Sequence, residues 1–368
     1  MRPTSRSDAA ARPAAYRRAA EAFAAALPEV RGRQGPDWPA LAAALPSLEA
    51  NRASMDNALT LHMTALADLL DAADPGPAED GAGPAAGVED RLLLHERRYW
   101  EQSAAACGLS PALSTATLDA ALAAALLVGA AGRDQAADVL RKVGGLADQP
   151  RDRRDAVLAW IAALYPSADS GPWGSLQPDR LTERLVGRRL EAHPGLAHDL
   201  VPGITEEQAG RLLTLYGRAA AHAVFAGQLD DQLTALCVRH RTVLAPTAMA
   251  VATQVERPGP LVAGLQQIAA DPRTPLDTLR QLDDRVPRSQ RLAVWACELA
   301  WHLVARHRGL PHTPRPGVEP AFPLLAPGGS GPAGGGAGPR RGSRHRRPFP
   351  GGRRPPGREP ERVRRPAA

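Results

Sequence analysis

Residues 114–129 read Ser114-Thr-Ala-Thr-Leu118-Asp-Ala-Ala-Leu122-Ala-Ala-Ala-Leu126-Leu-Val-Gly129. Leucine recurs at helical spacing in this stretch, and alanine, the residue with the highest helix propensity, fills most of the remaining positions. Ser114 is a suitable N-cap for the helix. Alanine and leucine are abundant elsewhere, aromatic residues make up only 4% of the chain, and long β-branched runs are nearly absent. The sequence therefore predicts an all-α protein.

Helical patterns extend on both sides of this stretch. Thr205 and Gln208 have the spacing of a capping box, which starts a helix after Thr205. Pro178 fits the first position of another helix. The pair Gly144-Gly145 is expected to end the predicted helix at 133–143. The remaining predicted helices cover residues 8–27, 37–49, 54–73, 88–106, 133–143, 151–165, 224–242, 246–254, 259–270, 275–284 and 288–308.

Three stretches depart from the helical pattern. Residues 167–177 carry a Ser-Gly-Pro sequence before Trp173 and predict a β-turn or a short β wing. Residues 76–88 are rich in Pro, Gly and Ala and predict a linker. Residues 311–368 contain 14 Pro, 12 Gly and 12 Arg, with few apolar residues. Because such a segment cannot bury a core, we expect a disordered tail.

Charge is divided unevenly along the chain. The tail, residues 311–368, carries twelve Arg and three Glu, a net charge of +9, whereas the whole chain carries +6, so residues 1–310 carry −3. The helical part therefore offers no general electrostatic surface for DNA, and nonspecific nucleic-acid binding is expected only through the tail. No apolar run reaches the length of a membrane span. Three widely spaced cysteines without a C-x-x-C pair predict reduced thiols in a cytoplasmic protein.

The chain lacks the residues that common enzyme classes require. Its only lysine, Lys142, is followed by Val143, whereas a phosphate-binding loop needs Gly-Lys followed by Ser or Thr. His302 and His307 are five residues apart and do not match a zinc motif, and His95 has no second histidine nearby, so we expect solvated or capping histidines. Acidic residues lie singly on predicted helix faces. We therefore predict that the chain is not an enzyme and has no catalytic, cofactor-binding or metal-binding residues.

Several runs within residues 88–222 resemble one family, the actinobacterial STAND-type NTPases, which are signalling ATPases that usually end in tetratricopeptide repeats. The most specific run is Trp173-Gly-Ser-Leu-Gln-Pro-Asp-Arg-Leu181. The others are Asp90-Arg-Leu-Leu-Leu-His-Glu-Arg-Arg-Tyr-Trp100, Leu118–Leu127, Asp148–Arg154, Trp160, Leu164-Tyr-Pro166 and Leu185-Val-Gly187.

The resemblance implies a domain organisation. Residues 1–75 would be a helical remnant of the NTPase core, residues 89–202 a winged-helix-like domain with a short β wing, and residues 203–310 a helical arm that leads to the repeats. In that family the winged helix packs on the core and helps to hold a nucleotide-dependent closed state. Walker motifs and repeats are not found in the sequence, so we expect a fragment from a truncated gene or a wrongly started reading frame.

Two sets of candidate contacts follow. Trp173, Pro178 and Arg180, in the most specific run, are candidates for an interdomain contact. Arg151, Arg153 and Arg154, before the helix at 151–165, are candidates for phosphate contacts. The preferred hypothesis is a non-catalytic regulatory or scaffold fragment of a STAND-type signalling NTPase, which would bind protein partners or other domains of such an NTPase. The alternative is a DNA-binding winged-helix regulator with a basic tail.

Overall fold

Helices form the regular structure in the part of the chain that the structure describes. The computed structural model describes residues 6–30, 33–46, 57–74, 87–168, 170–225 and 227–308. Within these ranges there are α-helices and short 3-10 turns but no strand, which confirms the all-α prediction. The helices are α1 Arg6–Ala26, α2 Trp38–Ala44, α3 Ala58–Ala73, α4 Val88–Ala106, α5 Thr115–Val128, α6 Arg133–Arg141, α7 Gly144–Ala147, α8 Arg151–Leu164, α9 Asp179–Ala192, α10 Gly195–Leu200, α11 Glu206–Ala220, α12 Gln228–Arg239, α13 Arg241–Gln254, α14 Gly259–Ala270, α15 Leu276–Asp284 and α16 Ala293–His307.

Helix α5 is the centre of the fold. It begins where the Ser114 side chain accepts a hydrogen bond from the Thr117 N–H, and it ends at Gly129, whose φ of +63° favours glycine. Residues 121–128 are all buried, because α6, α9, α10 and α11 pack around this helix. The alanine-rich sequence suits this position, since small side chains let several helices approach closely.

The N-terminal helices reach the rest of the fold mainly through one contact. Helices α1, α2 and α3 pack on one another, and α3 packs on α4. Helix α4 in turn packs against α9 and α8. Helix α4 is therefore the bridge between α1–α3 and the body of the molecule.

The last six helices form an array. Helix α11 packs on α5 and α9 and then on α12 and α13, after which α14 packs on α12 and α13, and α16 packs on α14 and α15. The capping box at its start is present as predicted: the side chains of Thr205 and Gln208 each accept a hydrogen bond from the other residue's backbone N–H. The predicted helical domains all fall within one compact unit, residues 1–313.

Some helix limits differ from the predicted ones. Gly144 does not stop the chain but opens α7, and the short helix α10 has no counterpart among the predicted helices. Pro178 is the N-cap of α9 rather than its first residue. The predicted helix at 224–242 is divided, because a 3-10 turn at Ala223–Phe225 and Gly227, with a φ of +88°, precede α12. Short helices have too few residues for a periodic pattern, which explains why α7 and α10 were missed.

The predicted β wing is not seen among the described residues. Residues 166–168 and 170–178 form bends and irregular backbone, and the Gly174 N–H donates a hydrogen bond to the Tyr165 carbonyl at 2.7 Å. The winged-helix assignment stays a prediction. The tail at 311–368 and most of the linker at 76–88 lie outside the described residues, although Val88 already belongs to α4.

Candidate functional site

A row of ion pairs joins α3 to α4. Asp68 and Asp71 lie one turn apart on α3, and Arg91 and His95 lie one turn apart on α4. The Arg91 guanidinium contacts Asp68 Oδ1 at 2.6 Å and Asp71 Oδ2 at 2.5 Å, and His95 Nε2 lies 2.7 Å from Asp71 Oδ1. The His95 side chain is only 3% exposed. These four residues form a polar contact where α3 packs on α4, which is the main junction of α1–α3 with the rest of the described fold.

A second row joins α4 to α9. The Arg184 guanidinium binds both carboxylate oxygens of Asp90, with Nε 2.7 Å from Oδ1, and its side chain is 10% exposed. Arg188, one turn further along α9, lies 3.4 Å from Asp90 and is more exposed. One turn before Arg184, Arg180 pairs with Glu89 at 3.0 Å. Because the arginines recur every fourth residue, they present one face of α9 to the N-terminal end of α4.

The two rows together are called the α4 seam: Asp68, Asp71, Arg91 and His95 on one side, and Glu89, Asp90, Arg180, Arg184 and Arg188 on the other. Arg180 also donates a hydrogen bond to the Thr60 hydroxyl of α3 at 3.3 Å, so it touches both sides. The seam thus connects three helices through charged groups at the place where α4 bridges the fold.

The ion pairs shift the protonation of the seam carboxylates. Burial would raise the pKa of Asp71, but hydrogen bonds from His95 and Arg91 outweigh it, so the pKa lies below its ordinary value. For Asp90, burial likewise raises the pKa, and Arg184 and then Arg188 lower it further than burial raises it. Both carboxylates therefore stay ionised at neutral pH, and their contribution to stability is lost only as the pH falls through the lowered pKa values.

A buried hydrogen-bond chain lies beside the seam, between α4 and the end of α8. Trp100 Nε1 donates to the Tyr165 hydroxyl at 2.8 Å, and that hydroxyl donates to Glu96 at 3.2 Å. Trp160 Nε1 donates to the Ser103 hydroxyl at 2.8 Å. Burial is the main cause that raises the pKa of Glu96. This chain holds α4 to α8 and leaves one carboxyl group in an environment that disfavours its charge.

The three candidate interdomain residues lie in three different environments. Trp173 is buried, and its Nε1 donates to the Ala125 carbonyl of α5 at 3.2 Å, inside the predicted domain at 89–202. Pro178 is half-buried at the N-terminus of α9. Arg180 is the one that lies between predicted domains, because it contacts Thr60 in the 1–75 segment and Glu89 at the start of the 89–202 segment.

The three candidate phosphate-binding arginines make contacts within the chain. Arg153 donates to the Gly108 carbonyl at 3.0 Å. Arg154 donates to carbonyls at the C-terminal end of α7, those of Leu146 and Ala147, and to the Gln149 carbonyl just after it. Arg151 is 81% exposed and lies 3.8 Å from Asp155. Two of the three guanidinium groups therefore satisfy backbone carbonyls at helix ends.

Sequence reasoning missed the α4 seam. Histidines were expected to be solvated or to cap helices, which is wrong for His95, since it is buried against Asp71. Acidic residues were expected to lie singly on helix faces, whereas Asp68 and Asp71 act together. The only signal in the sequence was the recurrence of Arg180, Arg184 and Arg188 at intervals of four. That spacing shows a basic helix face but not which acidic face it meets.

Lys142 and the basic side chains of one cavity have contacts within the part of the chain that the structure describes. Lys142 ends α6 and donates to the Leu200 carbonyl at 3.1 Å, so it joins α6 to α10. A cavity of about 610 Å³ lies beside α9 and α11. Its basic side chains each lie near a carboxylate: Arg180 by Glu89 at 3.0 Å, His222 by Glu183 at 2.9 Å, Arg218 by Asp179 at 3.5 Å and Arg257 by Asp230 at 3.7 Å.

Neither a candidate metal site nor a candidate membrane span occurs in the part of the chain that the structure describes. There, no group of three or more His, Cys, Asp or Glu residues could hold a metal ion. None of the helices described combines the length and the hydropathy needed to cross a bilayer. Comparison of the chain with protein families, with curated proteins and with solved structures gives no match.

Proposed function

We propose that this protein is a non-catalytic regulatory module, similar to the segment that follows the ATPase core in STAND-type signalling NTPases, and that it couples a nucleotide-dependent state to partner recognition. In this proposal, residues 89–202 act as the winged-helix-like part and α11–α16 as the arm that presents a partner-binding surface. The N-terminal helices α1–α3 would be the element whose attachment changes.

The α4 seam is the observation that carries the proposal. Helices α1–α3 join the body mainly through α3 on α4, and that junction holds charged groups rather than apolar contacts alone. Contacts between domains are more polar than a domain core, and relative motion is expected across them. Because ion pairs depend on their partners' charge and position, a competing charge can shift such a junction between two states.

The geometry supports this function better than the DNA-binding alternative. A DNA-binding winged helix needs arginines free to reach phosphates. Arg153 and Arg154 instead bind carbonyls of this chain, and Arg151 lies near Asp155. A role in DNA binding would require two of these guanidinium groups to leave helix ends that they now satisfy.

Binding to an ATPase core added in trans tests the proposal. The purified full chain is titrated with the ATPase core of an actinobacterial STAND protein, loaded either with ADP or with a non-hydrolysable ATP analogue. We expect the affinities for the two states to differ by about tenfold or more, a typical size for coupling between sites. The variant Arg91→Met should reduce this difference, whereas Arg98→Met, on the same helix but paired with the more exposed Asp74, should leave it nearly unchanged.

Three kinds of result would count against the proposal. Equal binding to both nucleotide states, or no binding to either, would remove the coupling role. Sequence-selective binding to duplex DNA at about 0.15 M salt, lost when Arg151, Arg153 and Arg154 are all replaced by Gln, would favour the alternative, since specific binding depends on such contacts. Magnesium-dependent ATP or GTP turnover by the chain alone would contradict its non-catalytic character.

A further inference from the structure

A small cavity lies between the N-terminal helices and α4. Its volume is about 240 Å³. One wall belongs to the α1–α3 part of the fold, with Arg33 and Trp38 around the start of α2 and Asp74 directly after α3. The other wall is one face of α4, on which His95 and Tyr99 lie one turn apart. A ligand in this cavity therefore contacts both sides of the junction between α1–α3 and the body.

Arg33 brings to this cavity a positive charge that no ion pair balances. Its guanidinium makes no ion pair or hydrogen bond within the ranges that the structure describes. Its backbone is fixed, because the Trp38 indole N–H donates to the Arg33 carbonyl at 2.7 Å. Burial raises the pKa of Glu96 on α4, and the charge of Arg33 partly offsets this effect. The guanidinium therefore lies close to α4, where a ligand in the cavity can reach it.

The second arginine of the cavity, Arg98, is already paired. It donates a hydrogen bond to Asp74 at 3.1 Å, and this pair adds no net charge to the lining. Arg33, Arg98 and Asp74 together carry a net charge of +1, so the cavity favours an anion. The planar guanidinium fork of Arg33 matches a carboxylate group, which can accept two parallel hydrogen bonds from it.

The remaining walls are mostly flat and apolar. Trp38 is only 1% exposed at the floor of the cavity, and Pro36, Ala73 and Tyr99 are half-buried around it. Ligand sites commonly combine apolar walls with a few polar groups that fix the orientation of the ligand. The volume lies below the range of about 300–1,000 Å³ that drug-sized ligands occupy. A small carboxylate with a flat apolar body meets both conditions.

We infer that this cavity binds a small organic carboxylate, whose charged group pairs with Arg33 and whose apolar body lies against Trp38 and Tyr99. Because the ligand contacts α2 and α4 at once, it binds only while α1–α3 are attached, and it therefore stabilises that attachment. The inference goes beyond the proposed function and is independent of it, since binding is measured on this chain without an ATPase core.

Benzoate is the probe for a binding test by NMR on the full ¹⁵N-labelled chain. The indole N–H resonance of Trp38, identified by its absence in Trp38→Phe, reports on the cavity. We expect it to shift in a saturable way with a Kd of about 1 mM, as suits a ligand of few atoms. Benzamide has the same shape without the charge and should bind at least about tenfold more weakly. Sodium chloride keeps the ionic strength constant throughout.

Two variants with the same loss of charge separate a local from a general electrostatic effect. Arg33→Met should weaken benzoate binding at least about tenfold, because the carboxylate loses its charged hydrogen-bond donor. Arg97→Met is the matched control, since Arg97 is exposed on α4 and does not line the cavity. It should change the Kd by less than about twofold, because exposed charges are screened by salt.

Hydrogen exchange tests the effect on the junction. At a benzoate concentration ten times the Kd, amides of α1 and α3 should exchange about tenfold more slowly, because binding protects the attached state in proportion to the ratio of ligand concentration to Kd. In Arg33→Met the same concentration of benzoate should leave their exchange nearly unchanged.

Several outcomes would overturn the inference. These are an unshifted Trp38 resonance up to about 20 mM benzoate, far above the Kd of even a small ligand, equal binding of benzamide, or an unchanged Kd in Arg33→Met. Inorganic phosphate that binds as tightly as benzoate would show that the apolar walls contribute nothing to recognition. Saturable binding without slower exchange in α1 and α3 would contradict the stabilised attachment.

Discussion

Arg184 is the residue of the α4 seam whose loss has the clearest expected magnitude. In the variant Arg184→Met, an unbranched apolar side chain replaces the guanidinium that now faces the Phe225 ring at 5.2 Å, so the ring keeps an apolar neighbour. The change therefore removes mainly the paired contact with Asp90. Removing one partner of a buried ion pair destabilises a protein by about 3–5 kcal/mol, because a buried charge is left without compensation.

The structure places Arg184→Met at the lower end of that range. Asp90 is 19% exposed and retains Arg188 at 3.4 Å, so water and a second arginine partly compensate the carboxylate. We expect a loss of about 3 kcal/mol in the free energy of unfolding, consistent with about 1.5–3 kcal/mol for each hydrogen bond to a charged group. Arg188→Met is the matched control. Its side chain is 41% exposed, and an exposed ion pair contributes about 0–1 kcal/mol.

Urea denaturation followed by far-UV circular dichroism measures both variants. An unchanged dependence on urea concentration would show that each substitution alters stability rather than the extent of unfolding. In the double variant Asp90→Asn/Arg184→Met, the loss should be smaller than the sum of the single losses, because the two residues interact directly. A decrease of less than about 1 kcal/mol in the free energy of unfolding of Arg184→Met, the range of an exposed pair, would contradict this expectation. So would a decrease no larger than that of Arg188→Met.

Four other substitutions test the packing of the fold. Gly187→Ala should destabilise the fold by about 1–3 kcal/mol, because an added Cβ would lie 2.2 Å from the Phe225 ring, whereas Gly210→Ala, with its nearest contact at 3.7 Å, should gain up to about 1 kcal/mol. Trp173→Ala should cost about 3–5 kcal/mol, as expected for a buried aromatic residue. Glu96→Gln should raise the melting temperature at neutral pH. Its gain should shrink as the pH falls toward about 4, where glutamate protonates in the unfolded chain.

The raised pKa of Glu96 determines the direction in which stability changes with pH. The folded state binds the proton more tightly than the unfolded state, so stability is full at low pH and is lost as the pH rises through the folded pKa. A Glu96→Gln variant that is less stable than the native chain at neutral pH would contradict this. A Gly187→Ala variant that matches Gly210→Ala would contradict the close approach of Phe225, and an unchanged melting temperature in Trp173→Ala would contradict its burial.

The sequence predicted helix limits well where residues close to the helix end determine them. The bounds of α4 and α14 agree with the predicted ranges 88–106 and 259–270. Ser114 and the Thr205–Gln208 box cap their helices as predicted. These features depend on residues within one or two turns of each other, so the sequence contains all the information that determines them.

The contacts between distant segments could not be predicted in the same way. Helical spacing indicates that Arg184 and Asp68 lie on polar faces, but it does not indicate that both faces meet α4. The burial of α5 on every side depends on four other helices. The hydropathy pattern of α5 has no single apolar face, so it does not indicate which helices pack against it. His95 is buried because a carboxylate from another helix accepts its hydrogen bond, and nothing in the neighbouring sequence reveals that partner.

The most direct test of the account is hydrogen exchange in Arg91→Met, with Arg98→Met as its control on the same helix. Arg91 is 21% exposed between two carboxylates, whereas Arg98 pairs with the more exposed Asp74. If the α4 seam is the joint that attaches α1–α3, amides of α1 and α3 should exchange about tenfold faster in Arg91→Met, which corresponds to about 1.4 kcal/mol of local stability. Amides of α5 and α11 should keep their protection. Equal acceleration in α5 and α3, or no acceleration in α3, would contradict the claim that this seam is a separate joint.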